Sequence, residues 1–256
     1  MLPHPALPPR VPTPQPRLAA GAPLRWLRAG WQVYRHTAAA SSLATALPAA
    51  LGGLLVAAVL AGGRAPLLLA LAGGFPLVAP CLLPGFARLA ERQASGRPAR
   101  LADFFAAWRT APAGFWVLAG LAVFLSMIWF TDAAIQYGLF FGSGRWSPAD
   151  GFDARLGGYA AFAGLTGGGL ALAAWLVNGF AMPLTCRRGL ALTPAVAAGL
   201  RALRAHPGVL ALWAGVLGGG SLATFALCYP ALVVTVPVLA YGSLAACEEI
   251  FPGSGT

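Results

Sequence analysis

Two carboxylates in this chain stand in matching surroundings. Glu91 closes "PCLLPGFARLAE", residues 80–91, and Glu248 closes "PVLAYGSLAACE", residues 237–248; Pro80, Gly85, Glu91 and Pro237, Gly242, Glu248 share the spacing P-x4-G-x5-E. The chain has only three glutamates, so matching two of them says more than matching glycines and points to internal duplication. Acid–base chemistry would need further titratable groups within reach of these carboxylates, and the sequence supplies few. His4, His36 and His206 occur singly and read as amphipathic residues or tail residues, not as metal ligands or a proton relay. There is no H-E-x-x-H, no G-x-S-x-G and no Walker lysine, since all 17 basic residues are arginine. Cys81, Cys186, Cys228 and Cys247 are scattered without C-x-x-C spacing and read as small buried hydrophobes, not as a zinc or disulfide framework. The expectation is a protein without enzymatic activity, with no catalytic, cofactor-binding or metal site and no cofactor.

Two further polar residues lie inside apolar runs, where an ionisable or amide side chain is a functional candidate by default. Counted along its helix from Gly114 at 1.5 Å per residue, Asp132 in "MIWFTDAAIQYGLFF" falls about 27 Å on, near the outer interface. It reads as an interfacial acid bonded to Gln136 one turn later. Asn178 in "AWLVNGFAMP" reads as an interhelical hydrogen-bond partner, with a substrate contact as the sharper alternative.

The elements that must position these groups follow from composition. Hydrophobic residues make up 58% and charged residues 9%, with a mean hydropathy of +0.72; a soluble domain carries about 25% charged residues. This is an all-α polytopic membrane protein by composition. Its net charge of +10 does not indicate nucleic-acid binding, because the arginines flank runs of membrane length and act there as topology determinants. Six apolar runs, at about 38–61, 65–87, 112–141, 158–184, 207–227 and 229–247, approach or exceed the roughly 20 residues needed to cross a bilayer. Pro76, Pro80 and Pro84 kink or shorten the second. The fifth and sixth are separated only at Pro230, so a single long tilted helix competes with two spans. Residues 1–23, with a proline-rich start, form a disordered cytoplasmic tail; 24–251 form the membrane domain; 252–256 form a C-terminal tail.

Fourteen arginines lie in the tail, the first segment and the 88–109 and 187–204 loops, against Arg64, Arg145 and Arg155 opposite. By the positive-inside rule both termini are cytoplasmic. Before each odd-numbered span stands a short basic segment with an apolar stripe: Leu27, Trp31 and Tyr34; Leu101, Phe104, Phe105 and Trp108; Val196, Leu200 and Leu203. These read as three amphipathic helices in the cytoplasmic headgroup layer, the third capped by Thr193 and Pro194. The chain then reads as a threefold repeat of interfacial helix, span, turn, span. Glu91 and Glu248, at the inner ends of the second and sixth spans, oppose the helix dipole; the compensating cations are expected to be Arg35 for the first and Arg201 or Arg204 for the second, with Arg88 as a local alternative. Gly85 and Gly242 are expected to let helices approach closely beside these clamps.

"RWLRAGW" at 25–31, "TPAVAAGLRALRAHPGVLALW" at 193–213 and the terminal "CEEIF" resemble a family of predicted bacterial integral membrane proteins of unknown function, over about residues 24–251. The resemblance implies a multi-span protein of the bacterial inner membrane and brings no established activity. Gly199, His206 and Cys247-Glu248 depart from the family pattern. The reading that follows is a non-enzymatic inner-membrane protein acting through contacts with membrane lipids, with a second copy or another membrane protein as partner on its small-residue faces. The alternative is a transporter or channel component for a small or lipidic solute. Convergence of Asn178, Asp132 and the 76–84 kink on one water-filled cavity would favour the alternative, and a solid apolar core the first reading.

Overall fold

Helix boundaries in this chain are set mostly by proline and glycine. The computed structural model describes residues 12–142, 144–146 and 151–252, apart from the Phe75 side chain; the tails expected at residues 1–11 and 253–256 lie outside the described residues. Among the described residues there is no strand beyond one isolated bridge between Arg64 and Trp146. Six helical runs are long and apolar enough to cross a membrane: Ala22–Ala61, Ala65–Ala94, Ala113–Phe141, Ala154–Arg188, Pro207–Leu227 and Tyr229–Ile250.

The first run is one helix, α1, of 40 residues. The separate amphipathic helix expected before it does not exist: residues 25–37 are its opening turns. At 1.5 Å per residue α1 is about 60 Å long, roughly twice the hydrocarbon thickness, and its sequence has no proline between Pro23 and Pro48 to end the first part. The second run is broken. Its α2, Leu68–Val78, gives way to a 3₁₀ turn at Ala79–Leu82 and resumes as α3, Leu83–Ala94. Pro76, Pro80 and Pro84 remove three donors in nine residues, and each ring crowds the carbonyl four positions back.

The other two short basic segments are separate helices, α4 (Leu101–Arg109) and α7 (Leu192–Ala205). Each is followed by a proline, Pro112 or Pro207, that forbids continuation into the span. On α4 the buried residues are Phe104 and Ala107, while Phe105 is exposed. On α7 the buried face is Ala195, Ala198, Gly199 and Ala202; the expected stripe of Val196, Leu200 and Leu203 is only partly covered. Its N-cap is Ala191 in extended conformation, not Thr193. The spans α5 (Ala113–Phe141) and α6 (Ala154–Arg188) follow, and the Asp153 carboxylate accepts the Leu156 N–H at 2.8 Å and caps α6. At its other end α6 stops on Gly189, in the left-handed region at φ +60°.

The last two runs are distinct helices, α8 (Pro207–Leu227) and α9 (Leu232–Ile250), separated by Cys228 and a 3₁₀ turn at Tyr229–Ala231. They fold back on one another: the Thr224 and Thr235 hydroxyls meet at 3.2 Å near the turn, and Trp213 packs over Gly242 further along.

Helix α9 runs antiparallel along α1. Gly30 permits the contact, because a methyl group there would lie 2.3 Å from the Val238 carbonyl oxygen. Thr37 and Ser41 bond the Tyr241 hydroxyl nearby. This pairing brings both ends of the domain together. The Gln15 N–H donates to the Ile250 carbonyl at 2.8 Å, and His206 contacts the Gln15 carbonyl at 2.7 Å. Residues 12–21 are thus a strap across the end of the bundle at which α1 begins and α9 finishes, where a free tail was expected.

A main core of Trp26, Phe86, Phe104, Phe115, Trp213 and Tyr241 fills this end, and a smaller one around Trp129, Tyr137 and Tyr159 fills the other. Outside both, Leu43, Leu47, Leu51 and Leu54 form an uncovered apolar flank along α1.

Candidate functional site

Positions 175, 178 and 182 of α6, 214, 217 and 221 of α8, and 236, 239 and 243 of α9 recur at helical spacing, so each set lines one face. Together with the break in the second span they enclose a cavity of about 340 Å³. Pro76, Leu77, Ala79, Pro80 and Leu83 form one wall; Trp175, Asn178, Met182 and Pro183 form the next. Asn178 lies ten residues before the end of α6, Arg188, or about 15 Å inside it. Leu172, also on the rim, is 54% exposed, so the cavity reaches the apolar flank of the bundle.

The lining is apolar except for a few groups. Ser221 is buried on α8, and the Ser243 hydroxyl donates to the Leu239 carbonyl at 3.0 Å. Asn178 is 5% exposed, and its carboxamide oxygen has no hydrogen-bond partner among the described residues. Pro183 has no N–H for the Gly179 carbonyl and Pro80 none for that of Pro76, and all four residues line the cavity. Among the described lining residues none is charged.

Just past this cavity, at the C-terminal ends of α3, α6 and α9, lies an ion cluster. Arg187 in the last turn of α6 contacts Glu91 at 3.5 Å and, more closely, Glu248. Glu91 also takes a 3.2 Å contact from Arg88. The two carboxylates that match in sequence therefore share one guanidinium. The expected partners were otherwise: Arg35 and Arg204 are exposed, and neither they nor Arg201 pairs with a carboxylate among the described residues. Arg35 and Arg204 do not reach the glutamates because the first turns of α1 bury Trp26, Gly30 and Tyr34, and α7 buries Ala195, Ala198, Gly199 and Ala202, which leaves both arginines on the outer side.

Glu249, which sequence reasoning passed over, is held by Arg25 at 2.6 Å and by the Trp26 indole N–H at 2.9 Å. Gly85 lies against the Phe104 ring, and Gly242 against Trp213 and the Trp26 carbonyl; Pro84 and Pro237 are buried.

Asp132 stands apart. It lines a surface groove with Met127, Ile128, Thr131 and Ile135, all on α5, and accepts from the Gln136 amide, which also reaches Thr166 at 3.0 Å. Of the three features whose convergence bears on transport, Asn178 and the 76–84 kink meet at one cavity and Asp132 does not. Outside the spans, hydrogen bonding from Arg92 holds the Asp103 carboxyl below the usual aspartate range, tying α4 to α3 at 2.8 Å. Among the described residues no three His, Cys, Asp or Glu side chains gather as metal ligands.

Six membrane-length helices around apolar cores, with exposed leucines outside, are the architecture of a membrane-embedded protein. Residues 67–186 match a family described as predicted integral membrane protein (DUF2189). The match covers the second to fourth spans, including the break, Asn178 and Asp132, and ends at Cys186, one residue before Arg187. The three stretches that carried the family resemblance in the sequence all lie outside it. No curated protein and no solved structure matches the chain. The protein is an integral membrane protein with several membrane-spanning helices.

Proposed function

We propose that this protein acts through lipid contact: it takes a lipidic solute from the bilayer into the cavity between the broken second span, α6, α8 and α9, as a carrier of the transporter type without enzymatic activity. The carrying observation is the cavity itself. Its volume falls in the range of small-molecule sites, about 300–1,000 Å³, and it is built at a helix break, as transporter sites commonly are. The exposed rim at Leu172 favours entry from the side, out of the hydrocarbon, and the separation of Asp132 from the cavity argues against a polar channel running through the bundle. The arginine distribution supports both termini in the cytoplasm, and the family resemblance supports a bacterial inner-membrane location.

The test uses the full-length protein in vesicles with an alkyl diazirine probe. Adducts are expected at Trp175, Met182 and Leu239. They should be suppressed by Gly218→Phe, since Gly218 lines the cavity and a side chain there meets open space. Labelling confined to the outer leucines of α1, unchanged by Gly218→Phe, would remove the proposal.

A further inference from the structure

The chemistry of the cavity wall narrows the class of solute. We infer that the site selects a neutral lipid whose head carries a hydroxyl, a long-chain alcohol in its simplest form, and that Asn178 is the residue that makes the selection. This rests on the reading of the cavity as a lipidic-solute site.

Three observations carry it. The Asn178 carboxamide oxygen is buried and has no partner among the described residues, and a buried polar atom in that condition is stabilised by any ligand donor that reaches it. A carboxamide offers both an acceptor and donors, so its best complement is a group that both gives and takes a hydrogen bond, as a hydroxyl does. Pro183 and Pro80 cannot donate to the Gly179 and Pro76 carbonyls four residues back, and all four residues line the same cavity. Finally, no charged side chain lines the cavity among the described residues. A carboxylate or phosphate head would be desolvated there without a counter-charge, and burial of an unpaired ion is strongly unfavourable. Arg187, the nearest cation on α6, is committed to Glu91 and Glu248.

The experiment is competition against the alkyl diazirine probe in vesicles. Dodecan-1-ol, dodecane and ionised dodecanoate are compared at equal mole fraction in the bilayer, with wild type and Asn178→Leu. Dodecanol is expected to compete about tenfold better than dodecane, the scale of one well-formed hydrogen bond away from water, and dodecanoate least well. Asn178→Leu should bring the alcohol-to-alkane ratio close to one while leaving dodecane competition intact; intact dodecane competition also shows that the variant is folded. Equal competition by alcohol and alkane in wild type, or strongest competition by dodecanoate, overturns the inference and leaves the cavity as a lipidic site. If none of the three competes, the inference falls together with the proposed function.

Discussion

Asn178 illustrates how a functional candidate differs energetically from a structural one. An amide that merely bridged two helices would be satisfied by the protein itself; this one, 5% exposed, leaves its oxygen without a partner among the described residues. Such a group costs roughly 1–3 kcal/mol, so Asn178→Leu is expected to raise the stability of the ligand-free protein by about 1 kcal/mol, read as a higher melting temperature in detergent. A lower melting temperature would mean the oxygen is already satisfied. Gly30 makes the opposite case. A methyl group there meets the Val238 carbonyl and the Gly242 N–H at 2.3 and 2.7 Å, so Gly30→Ala should force α1 away from α9 and destabilise by about 1–3 kcal/mol. Gly208→Ala, where a methyl group meets open space, should be neutral or stabilising by up to about 1 kcal/mol through helix propensity. Equal effects at the two glycines in the same melting assay would count against close α1–α9 contact.

At the scale of elements, the C-terminal ends of α3, α6 and α9 are tied by a single cation. Glu91 and Glu248 each oppose the dipole at a helix C-terminus, whereas Arg187 complements it. Removing Arg187 leaves two carboxylates near one another at unfavourable positions; removing either glutamate leaves a pair. Arg187→Gln is therefore expected to destabilise more than Glu91→Gln or Glu248→Gln. Double-mutant cycles should give couplings below about 1 kcal/mol for these partly exposed pairs, larger with Glu248 than with Glu91.

The Arg92–Asp103 pair makes a pH prediction. Because the folded carboxyl titrates below its ordinary value of about 3.9, its contribution is fully present above that value and is lost as pH falls through the lowered folded one. Asp103→Asn should cost about 0.5–1 kcal/mol at neutral pH and flatten the acid limb of a melting-temperature profile below about pH 4. An unchanged acid limb would show that the α3–α4 tie contributes nothing.

For the molecule as a whole, the six spans were legible because apolar length and proline placement are local signals. So was the break in the second span, written in Pro76, Pro80 and Pro84. The continuous first helix is equally local in origin: unlike α4 and α7, the segment 25–37 has no proline after it, and an amphipathic stripe by itself does not end a helix. The ion cluster was only half legible, since spacing isolated Glu91 and Glu248 but their partner depends on where α6 ends in space. The cavity was less legible still, because it arises from the meeting of four faces, each of which reads as ordinary apolar helix.

The same global arrangement makes the last prediction. Antiparallel α1 and α9, with Gln15 bonded to Ile250 and near His206, put the start and end of the domain at one end, the end that also holds Arg25, Arg92 and Arg187 with their carboxylates. The bonding of Arg145 to the Ala61 carbonyl joins the first and third spans at the opposite end. If the arginine-rich end faces the cytoplasm, a phosphatase fused after Gly63 or Gly142 should be active, and one fused after Thr256 inactive, with a cytoplasmic reporter giving the reverse pattern. Activity at Thr256 would invert the whole arrangement, placing the ion cluster outside; activity at Gly63 without Gly142 would break the pairing of the two outer loops on which the six-span reading depends.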